Sequence, residues 1–198
     1  MASGFNISTF KARGLTLGGA RPSLFEVYLT IPPFVAADTG SDTKFRFTCR
    51  GAQLPAATIG TVDVGYFGRT IKFAGDRTFA DWTVTVMNDE DFLVRAMFEK
   101  WSNAMNRLEA NQRQLYNAES DYKCTMNVIQ YSKDGNVIRA YDIIGAFPST
   151  VDAIDLNWET TNQIETFGVT FSYDYWLPTE GTELFNAYGA AATTPVSS

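Results

Sequence analysis

The sequence predicts a mainly β protein, an antiparallel β-sandwich or partly closed barrel with one amphipathic helix packed on it. Two observations support this fold class. Roughly eight or nine short segments alternate apolar with polar residues or are rich in β-branched and aromatic residues. Only the window that begins at Phe92 keeps apolar residues at helical spacing. With 198 residues, of which 45% are hydrophobic, the chain is long enough for one domain with a substantial core.

The N-terminal third is predicted to contain an arm and two strands. Residues 1–20 are rich in glycine and lack sustained periodicity, so we expect an extended arm that a partner surface would order. Residues 25–31 alternate as a strand that ends at Pro32-Pro33. After a polar loop, residues 45–50 alternate strictly and predict a second strand.

The middle of the chain predicts a long hairpin followed by a strand with one buried face. Residues 57–73 indicate two strands joined by a turn near Tyr66–Gly68. Residues 74–77 are predicted to form a further turn. In the strand 80–87, Trp82, Val84 and Val86 alternate with threonines, which is typical of a strand that is buried on one side.

The single long helix is expected directly after this strand. Residues 88–91, Asn-Asp-Glu-Asp, can cap a helix and complement its N-terminal dipole. The apolar positions at helical spacing are Leu93, Met97, Trp101, Ala104, Met105 and Leu108. Residues 109–122 are polar, and the sequence leaves open whether they extend the helix or form a loop.

A second hairpin is predicted in the last third of the chain. Residues 124–131 and 137–144 flank the turn sequence Ser-Lys-Asp-Gly-Asn at 132–136. Residues 147–150, which contain a proline, are expected to break the chain.

Two further strands and a tail complete the prediction. Residues 154–158 alternate as a short strand. In the longer strand 165–175 one face is apolar, and the other is small and polar. Its apolar face carries Phe167, Val169, Phe171, Tyr173 and Tyr175. Residues 178–198 form a low-complexity tail rich in alanine and threonine.

Composition excludes several classes of function. A net charge of −6 argues against tight binding to nucleic-acid phosphates or to an anionic membrane surface. The chain has no histidine, so the commonest general base and metal ligand is absent. Cys49 and Cys124 have no metal-ligand spacing and are predicted to be buried thiols of a protein made in a reducing cytoplasm. We expect no enzyme activity, no metal or other cofactor and no membrane binding.

The edges of the predicted sheet indicate oligomerisation. Exposed edge strands usually carry protecting lysines or prolines, yet the strands 80–87 and 165–175 contain no lysine. Pairing with the strands of neighbouring subunits would remove these exposed edges.

Several sequence blocks, in order, resemble the tail tube proteins of contractile-tailed bacteriophages of the myovirus type. The longest block is Gly75-Asp76-Arg77-Thr78-Phe79 with residues 81–90. The earlier blocks are Arg21-Pro22-x-Leu24-Phe25-x-Val27, Phe47-x-Cys49, Leu54-Pro55-Ala56 and Val64-Gly65-Tyr66 with Arg69 and Ile71. The later blocks are Gly145-x-x-Pro148, Leu156-x-Trp158, residues 163–170 and Asp174-Tyr175-Trp176. The resemblance spans residues 20–177; the loop at 32–44 and the residues after Trp176 exceed the family's minimal form.

This resemblance implies a structural protein of the virion tail, made in the cytoplasm of the host bacterium. Six subunits would form a ring with a continuous inner β-barrel, and the rings would stack into a tube inside a contractile sheath. The implied partners are other copies of the chain, the sheath protein, the baseplate and the tail terminator, with DNA as a non-specific cargo in the lumen. The expected divisions are an arm at 1–20, a β domain at 21–177 and an extension at 178–198.

Within such a tube, alternation and composition indicate three groups of residues. Core anchors are Trp82, Trp101, Phe167 and Phe171. Candidate subunit contacts are Asp76, Arg77, Tyr66 and Phe67, together with the arm 1–20 and the hairpin 57–73 between rings. Candidate lumen-facing residues are Asp63, Thr83, Thr85, Thr166, Thr170, Ser172 and Asp174.

Alternatives remain open at this point. Asp76 and Arg77 could instead form a local ion pair, and the polar strand faces could be an ordinary solvated surface. A tube subunit of a DNA-free injection or secretion device is the nearest alternative function. A monomeric sugar-binding β-sandwich, which would use Tyr66 and Phe67, belongs to a different class.

Overall fold

A computed structural model describes residues 7–16, 18–35, 40–113 and 121–179, and these form nine strands and three helices. Most of the extension predicted at 178–198, part of the undecided segment 109–122 and part of the loop 32–44 lie outside the described residues. The helices are α1 (Ile7–Arg13), α2 (Ser41–Thr48) and α3 (Leu93–Met105). The strands are β1 (Phe25–Leu29), β2 (Cys49–Ala52), β3 (Ala57–Tyr66), β4 (Arg69–Phe79), β5 (Trp82–Met87), β6 (Cys124–Tyr131), β7 (Val137–Val151), β8 (Thr166–Ser172) and β9 (Tyr175–Thr179).

The main sheet is antiparallel, in agreement with the predicted fold class. Its strand order is β1-β6-β7-β8-β5-β2, and β9 adds to β7, while β3 and β4 form a separate two-stranded sheet. The long strand β7 joins two ladders: its first part pairs with β6 and β9, and residues 147–151 pair with β8. Between these parts Gly145 has φ 71°, and a Cβ there would lie 2.1 Å from Asp174 Oδ2. The positive φ and the lack of space for a Cβ both require glycine at this position.

The core lies between α3 and one face of β5 and β8. The two strands are in register, with Trp82 opposite Phe171 and Val84 opposite Val169, and all four side chains are buried. Phe98 of α3 contacts this face edge-on, its ring centroid 5.8 Å from that of Phe171. The alternation of the two strands therefore gives an apolar face that α3 covers, together with Phe45 of α2.

Both predicted tryptophan anchors are buried and use their indole N–H groups. Trp82 Nε1 donates to the carbonyl oxygen of Gln53 at 2.6 Å, and Trp101 Nε1 donates to that of Tyr122 at 3.0 Å. The other two predicted core anchors, Phe167 and Phe171, are also buried. Because a buried donor without a partner is costly, these bonds make both large side chains compatible with the core.

The predicted cap of α3 differs in detail, because the N-cap residue is Phe92, which makes no side-chain cap bond, and the acidic residues lie just before it. Asp91 Oδ1 accepts a hydrogen bond from the backbone N–H of Leu93 at 3.0 Å. Lys44 of α2 bonds to the carboxylates of both Asp89 and Asp91, and these bonds lower the pKa of each carboxyl. The helix ends at Met105, so Leu108, which lies exposed beyond it, does not belong to its apolar face.

The strand predicted for residues 45–50 is largely a helix, and this prediction was wrong. Residues 41–48 form α2, and only Cys49 and Arg50 begin β2. A strand would place Phe45 and Phe47 on the same face, but Phe45 is fully buried whereas Phe47 is 69% exposed. The ring of Phe45 lies edge-on to Phe98 of α3, with centroids 5.7 Å apart. This tertiary contact selects the helix over the alternating pattern.

A charged network fastens α2 to β1 and β6. Glu26 Oε2 accepts hydrogen bonds from Tyr28 Oη and Tyr131 Oη, each at 2.9 Å, and from Arg46 Nη2 at 2.8 Å. The guanidinium of Arg46 also lies 4.3 Å from the centroid of the Tyr28 ring. Burial, followed by the bond to the Glu26 carboxylate, raises the pKa of Tyr131. The network fixes the direction in which α2 crosses the sheet.

The N-terminal arm is not extended over its described residues. Residues 7–13 form α1, and its apolar residues Ile7 and Phe10 are exposed. A helix this short is marginally stable in water without packing partners, because the free energy of nucleation exceeds the stabilisation from its few hydrogen bonds. No helix among the described residues is long and apolar enough to cross a membrane.

Four other predicted elements were also wrong in their type or bounds. The turn predicted at 74–77 is part of β4, and the break predicted at 147–150 is part of β7, where Pro148 is accommodated at a register shift. Residues 154–158 form a loop instead of a strand. The strand predicted for 165–175 divides into β8 and β9, because the chain bends at residues 173–174.

The two described cysteines are free, as predicted. Cys124 is buried and Cys49 is half-buried, and burial raises the pKa of each thiol to about 12. Both thiols therefore stay protonated and behave as small apolar side chains at neutral pH.

The orientation of α2 gives a direct test. Phe45→Ala should lower the free energy of unfolding by about 3–5 kcal/mol, because it empties a buried aromatic site. Phe47→Ala, two residues away, should change it by less than about 0.5 kcal/mol, since its ring is exposed. Chemical denaturation of both variants measures the difference. Equal losses would indicate that both rings face the core, as a strand requires.

Candidate subunit interface

The hairpin of β3 and β4 projects away from the rest of the molecule. It forms its own two-stranded sheet, and nearly all of its residues are exposed on both faces. A two-stranded hairpin with neither face covered is marginally stable in water. The predicted hairpin is thus confirmed, and its isolation indicates that a surface outside this subunit covers it.

The hairpin exposes apolar side chains that a monomer would normally bury. Their exposed fractions lie between 46% and 91%. They are Ile59, Val62, Val64, Tyr66, Phe67, Ile71 and Phe73. Contiguous apolar surface of this kind is uncommon on monomers and marks an interaction site.

The tip of the hairpin presents an aromatic residue in a strained conformation. Phe67 and Gly68 form a two-residue turn with φ values of 45° and 77°, the region of a type I′ turn, which favours asparagine followed by glycine. A bulky residue with positive φ costs about 1–3 kcal/mol. Phe67 is 91% exposed, and its described ring contact is with the neighbouring Tyr66, at 4.6 Å between centroids. The subunit alone gains little from this phenylalanine.

One indole hydrogen bond and one aromatic pair hold the base of the hairpin against the main sheet. Trp176 Nε1 of β9 donates to the carbonyl oxygen of Ala56 at 3.2 Å, directly before β3. At the other end of the hairpin, the ring of Phe79 lies 6.0 Å from that of Tyr173. The hairpin is therefore rooted at the end of the sheet where β5 begins.

Asp76 and Arg77, two candidate subunit contacts, are exposed on β4. Adjacent residues of a strand point to opposite faces, and Arg77 lies opposite Ile59 in the ladder. Within the part of the chain that the structure describes, neither side chain takes part in an ion pair. A subunit contact remains a prediction for both residues.

Five of the seven lumen candidates share one polar face of β5 and β8, opposite the core. They are Thr83, Thr85, Thr166, Thr170 and Ser172. The hydroxyls of Thr83 and Thr170 lie 3.0 Å apart across the ladder, and Ser172 donates to Asp81 at 2.8 Å. Hydroxyls therefore predominate on this face.

The other two lumen candidates lie elsewhere. Asp63 is exposed on β3, opposite Lys72. Asp174 lies in the bend between β8 and β9, and its carboxylate forms an ion pair with Lys123 at 3.0 Å. The polar face described above therefore does not extend to either carboxylate, and the direction of the lumen stays a prediction for all seven residues.

A second exposed apolar set lies in the loop 152–165, which the sequence interpretation missed as a contact surface. Leu156 is 79% exposed and Trp158 is fully exposed. Alternation at positions 154, 156 and 158 suggested a strand. The polar residues on either side of Trp158, at 157 and 159–163, were the available signal for a loop.

The fold is shared with components of contractile injection systems. A chain from the sheath-tube complex of an extracellular contractile injection system in its extended state matches with TM-score 0.52, 14% identity and coverage of 88% of this chain and 97% of that chain. A chain from the anti-feeding prophage baseplate, a six-fold symmetrised structure, matches with TM-score 0.56, 12% identity and coverage of 81% and 95%. The chain therefore shares its fold with a chain in each of these two assemblies.

Sequence comparison gives the family. The family model for the phage tail tube protein matches residues 20–179. The tail tube protein gp19 of Enterobacteria phage T4 is 36% identical over 162 residues, covering 79% of this chain and 90% of that protein. The chain belongs to the phage tail tube protein family.

Replacement of the strained aromatic at the hairpin tip should stabilise the isolated subunit. Phe67→Asn should slow hydrogen exchange of the β3 and β4 amides by about fivefold, corresponding to about 1 kcal/mol of relieved backbone strain. Phe67→Val, a β-branched residue at the same positive φ, serves as the matched control and should accelerate exchange. Faster exchange in the asparagine variant than in the wild type would contradict a strained tip.

Proposed function

We propose that this chain is the structural subunit of a contractile phage tail tube and has no catalytic role. It belongs to the virion tail, where six copies form a ring and stacked rings form a hollow tube. Family membership and 36% identity to the T4 tail tube protein support the tube assignment. The structural observation that best supports the tube assignment is the apolar hairpin of β3 and β4. This subunit does not cover it, and a neighbouring subunit in an assembly would.

Ring formation follows from the open edges of the main sheet. Among the described strands, β1 pairs only with β6 and β2 pairs only with β5. Their outer edges have no strand partner among the described residues, and a free strand edge can template pairing with another strand. In the proposed ring, strands of neighbouring subunits pair across such edges, and six sheets close into one inner barrel.

The hydroxyl-rich face of β5 and β8 is the proposed lining of the lumen. DNA has to slide through without being held, so a lining without lysine or arginine is suitable. Hydroxyls supply a hydrated surface without fixed positive charge. The acidic balance of the subunit, −6 overall, adds general repulsion toward phosphates.

Contacts with the sheath, the baseplate and the terminator are further parts of the proposal. Fold likeness to chains from a sheath-tube complex and a baseplate supports such surroundings. We also propose the division into an arm at 1–20, a β domain at 21–177 and an extension at 178–198. The exposed helix α1 within the arm is available for contacts between rings.

A tube subunit of a DNA-free injection device is the second candidate function. The fold likeness supports it, because one of the matched chains comes from an extracellular contractile injection system. The sequence favours the phage tail, since identity to the T4 protein is 36% compared with 12% and 14% for those systems.

Polymerisation of the purified chain tests the proposal. Wild-type protein should form hollow tubes visible in negative-stain electron microscopy. Arg77→Glu should remain folded by circular dichroism but form no tubes, because it reverses a charge on the contacting hairpin. Lys133→Glu, an equal charge change in the exposed turn between β6 and β7, should assemble normally. A wild-type protein that stays monomeric, or an Arg77 variant with normal tubes, would contradict the respective part of the proposal.

A further inference from the structure

The face of β6, β7 and β9 that points away from the main core carries exposed apolar side chains. Ile129 and Ala140 lie opposite each other in the ladder of β6 and β7 and form a small buried cluster of their own on this face. Ladder pairing places Tyr175 and Leu177 of β9 on the same face, where they are 44% and 52% exposed. Ile138, two residues before Ala140, is 44% exposed. We name Ile138, Tyr175 and Leu177 the outer stripe.

The structure describes the chain up to Thr179, and this residue lies beside the outer stripe. Thr179 is the last residue of β9 and pairs with Ala140 of β7. Its hydroxyl donates to Asp142 Oδ2 at 2.9 Å, and its side chain is buried. The end of β9 is thus fastened to the sheet. Residues 180–198, nineteen in all, therefore begin directly beside the stripe.

The first residues after β9 suit a chain that turns back over the sheet. Continuing the register of β7 and β9 by one residue places Glu180 opposite Arg139. Opposite charges that face each other across a ladder are stabilising. Gly181 follows, and glycine allows the backbone to reverse its direction without a steric penalty. A reversal at this point directs the next residues back along β9, over the stripe.

The extension carries its large apolar residues within this reach. Leu184, Phe185 and Tyr188 have the spacing of one side of a helical turn. Thr182 before them and Gly189 after them are residue types that commonly begin and end helices. The segment therefore has its own apolar side, which a surface close to Thr179 can bury.

We propose that residues 180–189 fold back within the same chain and cover the outer stripe. Leu184, Phe185 and Tyr188 supply the apolar side that packs on it, and Glu180 pairs with Arg139. The tether at Thr179 holds the segment at a high effective concentration beside the stripe, which favours it over any separate molecule. The family model ends at residue 179, so this cover is an addition of the chain to the shared fold.

The cover also has a defined place in an assembled tube. Side chains from both halves of the sheet meet in one core, so the outer stripe and the hydroxyl-rich face of β5 and β8 lie on opposite sides of it. A lumen lined by the hydroxyl-rich face therefore puts the folded extension on the outside of the tube. This placement rests on the proposed tube function, whereas the docking of the extension does not.

Serine substitutions in the extension test the cover. Leu184→Ser with Phe185→Ser should accelerate hydrogen exchange of the β9 amides in unassembled protein at least about fivefold, because the strand loses the apolar cover of one face. Val196→Ser with Ala191→Ser makes an equal number of changes later in the same extension and should leave the exchange unchanged. Mass spectrometry of peptides from residues 174–179 measures the rates.

The outcomes separate this inference from the proposed function. Unchanged exchange in the first variant, or equal acceleration in both variants, would overturn the cover. Protection of β9 that appears only as the protein concentration rises would show that the extension covers another copy, which would overturn docking within one chain. A wild-type protein that forms no tubes would contradict the proposed function and leave the exchange result intact.

A nitroxide label locates the extension directly. Attached at Ala187→Cys, the label should broaden the NMR amide signals of β7 and β9 around the stripe more strongly than those of β5. The same label at Ser198→Cys should favour neither side of the core. Burial raises the pKa of both native thiols to about 12, so they should react slowly, and labelled wild-type protein gives the background. Equal broadening of β9 and β5 by the label at position 187 would overturn the inference.

Discussion

The packing of α3 on one face of β5 and β8 is the constraint on which the rest of the structure depends. Phe98 contacts Phe45 of α2 and Phe171 of β8, so one side chain links both helices to the sheet. Because the helices cover a single face, the opposite face has to be compatible with water, and threonine and serine occupy it. The polar surface proposed for the lumen is thus a direct consequence of a one-sided core.

Sequence reasoning succeeded where one pattern fitted one structure. Strands β5 and β8 alternate cleanly and α3 has an apolar stripe, so these elements and much of their core followed from the chain alone. Val94 and Phe98 of α3, both buried, were not among the predicted apolar positions. The prediction failed at residues 45–50. These residues alternate as a strand would, but they form a helix that buries only one large ring, that of Phe45. The choice depends on the contact with Phe98, about fifty residues away, which no local window contains.

The candidate interface shows a different limit of prediction. The hairpin and its turn were predictable from β-branched residues and glycines, but its complete exposure was not. Strands that become buried between subunits carry the same apolar residues as strands buried within one. Only the fold shows that neither face of β3 and β4 is covered by the subunit itself. The loop with Trp158 was misassigned for the same reason, since exposed and buried aromatics look alike in a sequence.

The uncovered hairpin also has a consequence for the kinetics of growth. A free subunit carries a marginally stable two-stranded element, and ordering it costs conformational entropy each time two subunits meet. At the end of an existing stack, burial of the hairpin against an apolar surface offsets this entropy cost. In an isolated pair of subunits, burial of the hairpin offsets a smaller part of the cost. Elongation is consequently favoured over spontaneous nucleation, so a template can decide where and when polymer begins.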